Sequence, residues 1–146
     1  MTKIEKMSVE APANYPLCLH GSCPLAGTCL RQLAFSRHAA LGTYLRLVNP
    51  SLCTRQEGCP YYASSTPVRF ALGFTGFQKR MYPDQYGCFM TTLIGRFGRN
   101  PYFARRRGDV LIPPAEQAVI LEALREAGGE APMEFDRYVV GTDWYT

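Results

Sequence analysis

Five of the six cysteines lie between residues 18 and 59, and this clustering constrains the fold more than any other feature of the chain. They form two groups, with Cys18, Cys23 and Cys29 in the first and Cys53 and Cys59 in the second. A structural zinc ion takes four thiolate or imidazole ligands in a tetrahedron, and two short ligand-bearing segments often supply them. The clustering therefore predicts that zinc cross-links the two groups.

The spacing leaves the choice of ligands open. One set of four has matched five-residue spacers: Cys23, Cys29, Cys53 and Cys59. A second set takes its ligands from the first group and the last cysteine of the second: Cys18, Cys23, Cys29 and Cys59. His20 is a further ligand candidate, in place of one thiolate. The signal is weaker than a CxxC pair, and the compact spacings of iron–sulfur proteins are absent.

Two alternatives to a metal centre have different functional consequences. In the first, the protein is a metal-free interaction domain whose cysteines pack in the core as small hydrophobic residues. In the second, it is a thiol-dependent enzyme, which requires a cysteine of lowered pKa and a nearby base such as His20. The chain lacks a glycine-rich phosphate loop and the GxSxG, HExxH and EF-hand motifs, so the sequence favours a binding or regulatory module over an enzyme.

The N-terminal residues are polar and lack the apolar run of a signal peptide, and no apolar stretch is long enough to span a bilayer. We therefore expect a cytoplasmic protein without a membrane partner, in which thiols stay reduced. The oligomeric state is left open. If the chain were instead exported, disulfides would be the third use of the cysteines.

The length of 146 residues, with 47% hydrophobic and 19% charged residues, suits one domain with a real core. We expect a flexible arm over residues 1–16 and a single globular domain over 17–146. Its fold class is predicted as α+β, mainly helical, with a small strand component and a cysteine-rich N-terminal half.

Hydrophobic periodicity and proline positions assign the elements. Helices are expected over residues 24–37, 39–47, 83–97 and 114–127, and strands over 68–74 and 110–112. Residues 49–67 read as an irregular loop that needs an attachment to the first cysteine group. Cys88 lies in the amphipathic pattern of the third helix and is expected in or near the core, and the aromatic segment 135–145 is expected to dock on it.

Charge is unevenly distributed along the chain. Residues 68–108 carry eight basic side chains and one acidic one, whereas residues 109–146 carry two basic and eight acidic side chains. Arginines can neutralise phosphates and aromatic rings can stack on bases, which predicts a surface for nucleic acid or an acidic protein. Its candidate residues are Arg96, Arg99, Tyr102, Phe103, Arg105, Arg106 and Arg107. The plainer interpretation is that the acidic end pairs with the basic middle.

Several short motifs resemble those of an uncharacterised bacterial family of small cysteine-containing proteins, a domain of unknown function. They are Pro16-Leu-Cys18, Cys23-Pro24, Thr28-Cys29-Leu30-Arg31, Cys59-Pro60-Tyr61, Ile94-Gly-Arg-Phe-Gly98, Tyr102-Phe103 to Arg107-Gly108, and Phe135-Asp136-x-Tyr138 with Trp144. The resemblance extends over nearly everything after residue 14 and implies no activity. It favours Cys18, Cys23, Cys29 and Cys59 as the ligand set, because Cys53 lies outside the matching motifs.

Overall fold

A computed structural model describes residues 3–40, 42, 44–53, 58–130 and 134–145. The chain divides into two compact units. The helical unit consists of Met1–Ser8 and Val68–Gly141, and the cysteine unit consists of Val9–Pro67 and Thr142–Thr146. These boundaries differ from the predicted division into an arm of residues 1–16 and one domain of 17–146, which stays a prediction.

The helical unit contains a two-stranded antiparallel sheet, β1 (Val68–Leu72) and β2 (Arg137–Gly141). The register pairs Val68 with Gly141 and Leu72 with Arg137. The alternating apolar residues predicted β1, in which Phe70 and Leu72 are buried, but Ala71 between them is buried as well, so both faces of the strand's end are covered. The expected strand at 110–112 is reduced to a single bridge between Ile112 and Ala71.

Three helices of the helical unit follow β1 in the chain: α3 (Pro83–Phe97), α4 (Arg99–Arg107) and α5 (Pro114–Glu126). The predictions for α3 and α5 are confirmed, and each begins with a proline in its first turn, where no backbone N–H is needed. α4 was not predicted. Pro101 lies in the first turn of α4, after Gly98 has redirected the chain with a φ of 91°.

Aromatic rings form the core of the helical unit. The Phe74 ring centroid lies 5.9 Å from that of Phe89, 5.7 Å from that of Tyr102 and 6.3 Å from that of Phe135. All three contacts are edge-to-face, the arrangement that aromatic quadrupoles favour. This core joins β1, α3, α4 and the start of the aromatic C-terminal segment, whose Phe135 is buried as expected.

The cysteine unit contains α2 (Leu30–Ala39), which starts later than the predicted 24–37 helix. Residues 24–28 form consecutive turns, in which the N–H of Ala26 bonds the carbonyl of Cys23 at 3.0 Å and that of Thr28 bonds Leu25 at 3.1 Å. The helical spacing of apolar residues was misleading here. Leu30 donates its N–H to the carbonyl of Ala63 at 2.7 Å, a tertiary contact that fixes where the helix begins.

The predicted helix at 39–47 is wrong over the residues that the structure describes after Ala39. Leu17 forms a parallel bridge with Leu47 and donates its N–H to Arg46 at 2.9 Å, while Val48 donates to Leu17 at 2.9 Å. These backbone bonds require an extended segment, so pairing with a distant part of the chain overrides the helical pattern. Tyr44 in this segment is 93% exposed.

The N-terminal residues include a short helix, α1 (Lys3–Val9), where the sequence suggested a loose arm. Ile4 of this helix packs with Phe70 and Val139 in the helical unit. Together these elements confirm the α+β fold class with helices predominating. None of the described helices combines the length and the apolar character needed to span a bilayer.

Candidate functional site

The two cysteine groups line one small cavity in the cysteine unit, with a volume of about 20 Å³. The potential metal ligands around it are Cys18, His20, Cys23, Cys29, Cys53 and Cys59. A cavity of this size has room for about one water-sized sphere. The structure thus places every cysteine of the predicted metal site, and His20 with them, around a common space.

Arg31 joins the chain on both sides of this cavity. Its Nε donates to the carbonyl of Tyr61 at 2.7 Å, and its Nη1 donates to the carbonyl of Pro16 at 3.0 Å. The guanidinium also lies 5.2 Å from the centre of the Tyr15 ring. Because Pro16 precedes the first cysteine group and Tyr61 follows the second, Arg31 holds the two groups together. This role could not be found from sequence, where Arg31 is marked only by its position two residues after Cys29.

Backbone pairing attaches the irregular loop to the first cysteine group. Cys29 and Ser64 form an antiparallel bridge, and the N–H of Ser65 donates to the carbonyl of Thr28 at 2.9 Å. The hydroxyl groups of Thr28 and Tyr62 lie 2.9 Å apart, within hydrogen-bond distance. The attachment that the sequence analysis assigned to an ion is therefore supplied, at least in part, by hydrogen bonds of the chain itself.

Two of the sulfur atoms are in contact. The Sγ atoms of Cys53 and Cys59 lie 3.9 Å apart, and all six cysteines are thiols. Tetrahedral coordination with Zn–S bonds of about 2.3 Å places two sulfurs about 3.8 Å apart. The separation therefore suits two ligands of one zinc ion and is far longer than a disulfide bond of about 2.05 Å.

Cys23 and His20 carry two further features of the cavity. The backbone N–H of Leu25 donates to Cys23 Sγ, with 3.4 Å between nitrogen and sulfur, and such donors orient the ligands of metal sites. Nε2 of His20 is buried and makes no hydrogen bond within the described part of the chain. An unpaired buried polar atom costs free energy, which a bound ion or proton donor would recover.

The described side chains stop short of a formed metal site. Among residues 3–40, 42, 44–53, 58–130 and 134–145, no three of His, Cys, Asp and Glu converge closely enough to hold an ion. Binding would therefore require the side chains around the cavity to rotate inward.

The sixth cysteine, Cys88, lies in α3 of the helical unit and is exposed. Its expected position in or near the core is therefore wrong.

The predicted nucleic-acid surface falls on α4 and the end of α3, and its aromatic residues do not face solvent freely. Tyr102 is fully buried, with its hydroxyl 3.0 Å from that of Tyr86, so it cannot stack on a base. Burial raises the pKa of Tyr102 strongly, and the hydrogen bond with Tyr86 adds to this shift. Phe103 is half-buried against Tyr102, with the Arg99 guanidinium 5.5 Å from the centre of its ring.

Most of the arginines on this surface have partners within the chain. Arg105 contacts both carboxylate oxygens of Glu116, the closer at 2.5 Å, and Arg107 pairs with Asp109 at 2.9 Å. Arg106 Nη2 donates to Gln78 Oε1 at 2.9 Å. Arg96 is exposed beside a groove that also contains Glu122 and Glu126. The geometry agrees with the plainer interpretation of the charge pattern, and a nucleic-acid or acidic partner stays a prediction.

Comparison with known proteins gives one family. Residues 1–144 match the Family of unknown function (DUF6078). The chain belongs to this family. No curated protein matches it. No solved structure matches it either.

Membership of DUF6078 confirms the resemblance drawn from the short motifs, while the predicted bacterial origin stays a prediction. The match extends over both units, so the cysteine cavity and the aromatic core both fall within the region that defines the family. DUF6078 brings no activity, substrate or cofactor with it, and any function has to be argued from the cavity itself.

Proposed function

We propose that this protein is a small zinc-binding module, in which one structural zinc ion occupies the cavity of the cysteine unit. The observation that carries the proposal is the common cavity lined by five cysteines and His20. Structural zinc sites in proteins are built from this kind of ligand set, and a pocket for one water-sized sphere leaves room for one ion.

Cys23, Cys53 and Cys59 have the strongest support as ligands. The 3.9 Å sulfur separation of Cys53 and Cys59 suits two corners of a zinc tetrahedron, and the Leu25 amide donates to Cys23 Sγ. Hydrogen bonds of this kind orient ligands in many metal sites. We assign these three cysteines to the ion.

His20 is the proposed fourth ligand. Its buried Nε2 lacks a hydrogen bond within the described residues, and a metal ion would use that lone pair. Cys18 and Cys29 line the same cavity and are the alternatives for this position. The family resemblance implies both of them as ligands and leaves out Cys53, so the proposed set departs from it at Cys53. A Cys₃His set is common in structural zinc sites.

Zinc binding would tighten the cavity. The ligand groups already share its wall, but no three of the described candidates meet at one point, so part of the binding free energy would go into rotating them inward. Because the ion binds the folded chain, it would raise the stability of the cysteine unit. The bonds of Arg31 and the Cys29–Ser64 bridge would preorganise the site by holding its two halves together.

The proposal is tested by measuring the metal content of the purified chain by mass spectrometry. We expect about one zinc ion per chain. Cys59→Ser should lose most of the metal, whereas Cys88→Ser should retain it, because Cys88 is exposed in the other unit. Comparison of His20→Asn with Cys18→Ser and Cys29→Ser then identifies the fourth ligand. A folded chain without zinc after expression and purification in zinc-containing medium would refute the proposal.

A further inference from the structure

The Cys53 and Cys59 thiols combine close approach with access to solvent. Their sulfurs lie 3.9 Å apart, both residues are half-exposed, and their neighbours Leu52, Gly58 and Pro60 are exposed. Cys18, by contrast, is buried at 8% exposure, while Cys23 and Cys29 are partly exposed like the pair. A small oxidant can therefore reach this pair more easily than it can reach Cys18.

We propose that Cys53 and Cys59 are a redox modification site, which hydrogen peroxide converts to a reversible disulfide. Two thiols and one peroxide give one disulfide and two waters. One thiolate attacks a peroxide oxygen and becomes a sulfenic acid as hydroxide leaves and takes up a proton. The second thiolate then attacks that sulfur, the S–S bond forms, and a second hydroxide leaves as water.

Formation of the disulfide needs only a short movement of the two sulfurs. A disulfide requires the sulfurs to approach by about 2 Å from their present distance. Neither cysteine lies in a helix or strand. Gly58, next to Cys59, has a φ of 89°, and a β-carbon added there would meet no described atom within 4 Å.

Oxidation would also act on the proposed zinc ion, and this part of the inference rests on the proposed function. A disulfide removes two of the four proposed ligands at once, because its sulfurs are neutral and bind zinc weakly. Peroxide would then release the ion, and a dithiol reductant would restore both thiols and the capacity to bind zinc. The cavity would thus respond to the redox state of its surroundings.

The experiment exposes zinc-free and zinc-loaded full-length protein to hydrogen peroxide and maps the linked peptides by mass spectrometry without reduction. We expect the main product to join Cys53 and Cys59 with loss of two hydrogens, before Cys88 is oxidised. Zinc released from the loaded sample, followed with a chromogenic chelator, should rise in step with this disulfide. Dithiothreitol should reverse both changes.

Two outcomes would overturn the inference: a main disulfide that includes Cys18, Cys23, Cys29 or Cys88, or oxidation of Cys88 without any disulfide. If the zinc proposal alone fails, the Cys53–Cys59 disulfide still forms in the zinc-free sample, so the two failures are distinguishable. Cys88→Ser is the matched control and should give the same linked peptides at the same rate. Cys53→Ser should lose the Cys53–Cys59 product. If that variant fails to fold, the peptide mapping of the wild-type protein still tests the inference.

Discussion

The Asp136 carboxylate accepts two hydrogen bonds from Thr75, one from its backbone N–H at 2.9 Å and one from its hydroxyl at 2.7 Å. The backbone N–H of Gly76 adds a third at 3.3 Å, and Asp136 donates its own N–H to the carbonyl of Gly73 at 2.8 Å. Thr75 follows β1 and Asp136 precedes β2, so this contact fixes the end of the sheet across 61 positions of sequence.

Replacement of Asp136 by alanine should therefore destabilise the helical unit. The variant leaves the N–H groups of Thr75 and Gly76 without their carboxylate partner, and water can replace some of these bonds because Asp136 is exposed. We expect a loss of about 1–2 kcal/mol in the free energy of unfolding, measured by urea denaturation. Glu134→Ala removes an exposed carboxylate two residues away and should change the stability by less than about 0.5 kcal/mol.

The same carboxylate should make stability depend on pH. Burial raises the pKa of Asp136, but the hydrogen bonds from Thr75 and Gly76 and the charge of Arg106 outweigh it, so this pKa lies below its ordinary value. The unfolded chain then binds more protons than the folded chain around the ordinary value of about 3.9. The stabilisation is complete above that pH and is lost as the pH falls through the lower folded value.

The measurement compares wild type with Asp136→Asn by urea denaturation at neutral and at acidic pH. The difference in unfolding free energy between them should shrink as the pH falls below about 3.9. A difference that stays constant, or grows, would show that the charge of Asp136 does not stabilise the fold.

Gly73→Ala should be among the more damaging substitutions at a glycine. Gly73 has a φ of 77°, and an added β-carbon would lie 2.7 Å from Asp136 Oδ2. We expect a loss of about 1–3 kcal/mol from the combined strain and displaced carboxylate. Gly95→Ala is the matched control within α3, where an added β-carbon meets nothing within 4 Å, and it should stabilise the chain by about 0.5–1 kcal/mol. Equal effects of the two would contradict this assignment.

The arginines of α4 should differ in their contribution to stability. Arg105 forms a two-contact pair with Glu116, and its side chain is 20% exposed, whereas Arg107 pairs with Asp109 with 56% of its side chain exposed. Arg105→Ala should cost about 1–2 kcal/mol, because it leaves Glu116 partly buried without its partner. Arg107→Ala should cost less than about 0.5 kcal/mol. Thermal unfolding of both variants distinguishes them, and the reverse order would contradict the account.

Hydrophobic periodicity and proline positions correctly predicted the helices and the strand whose conformation is determined by their own residues. α3 and α5 have sustained apolar periodicity and an N-terminal proline, and β1 alternates, so each was found with the correct type. The errors occur where distant contacts decide. The backbone bridge to Leu17 holds the segment around Leu47 in an extended conformation. The hydrogen bond from Leu30 to the carbonyl of Ala63 sets the start of α2 at Leu30. No local pattern contains these partners.

The candidate site shows the same division. The clustering of cysteines in sequence predicted that both groups belong to one site, and they line one cavity. The role of Arg31, which bonds Pro16 and Tyr61 across that cavity, depends on tertiary structure and was not predictable. The arginine–aromatic pattern was less informative, because a helix with Tyr102 on its buried face gives the same sequence signal as an open stacking surface.

X-ray absorption at the zinc edge of the purified full-length protein tests the central claim most directly, because it measures the atoms bound to the ion. The account predicts about three sulfur neighbours at about 2.3 Å and one nitrogen at about 2.0–2.1 Å. The nitrogen should be replaced by oxygen or sulfur in His20→Asn, while Cys88→Ser should leave the spectrum unchanged. A shell of oxygen and nitrogen alone, or a folded protein with no zinc to measure, would contradict the account.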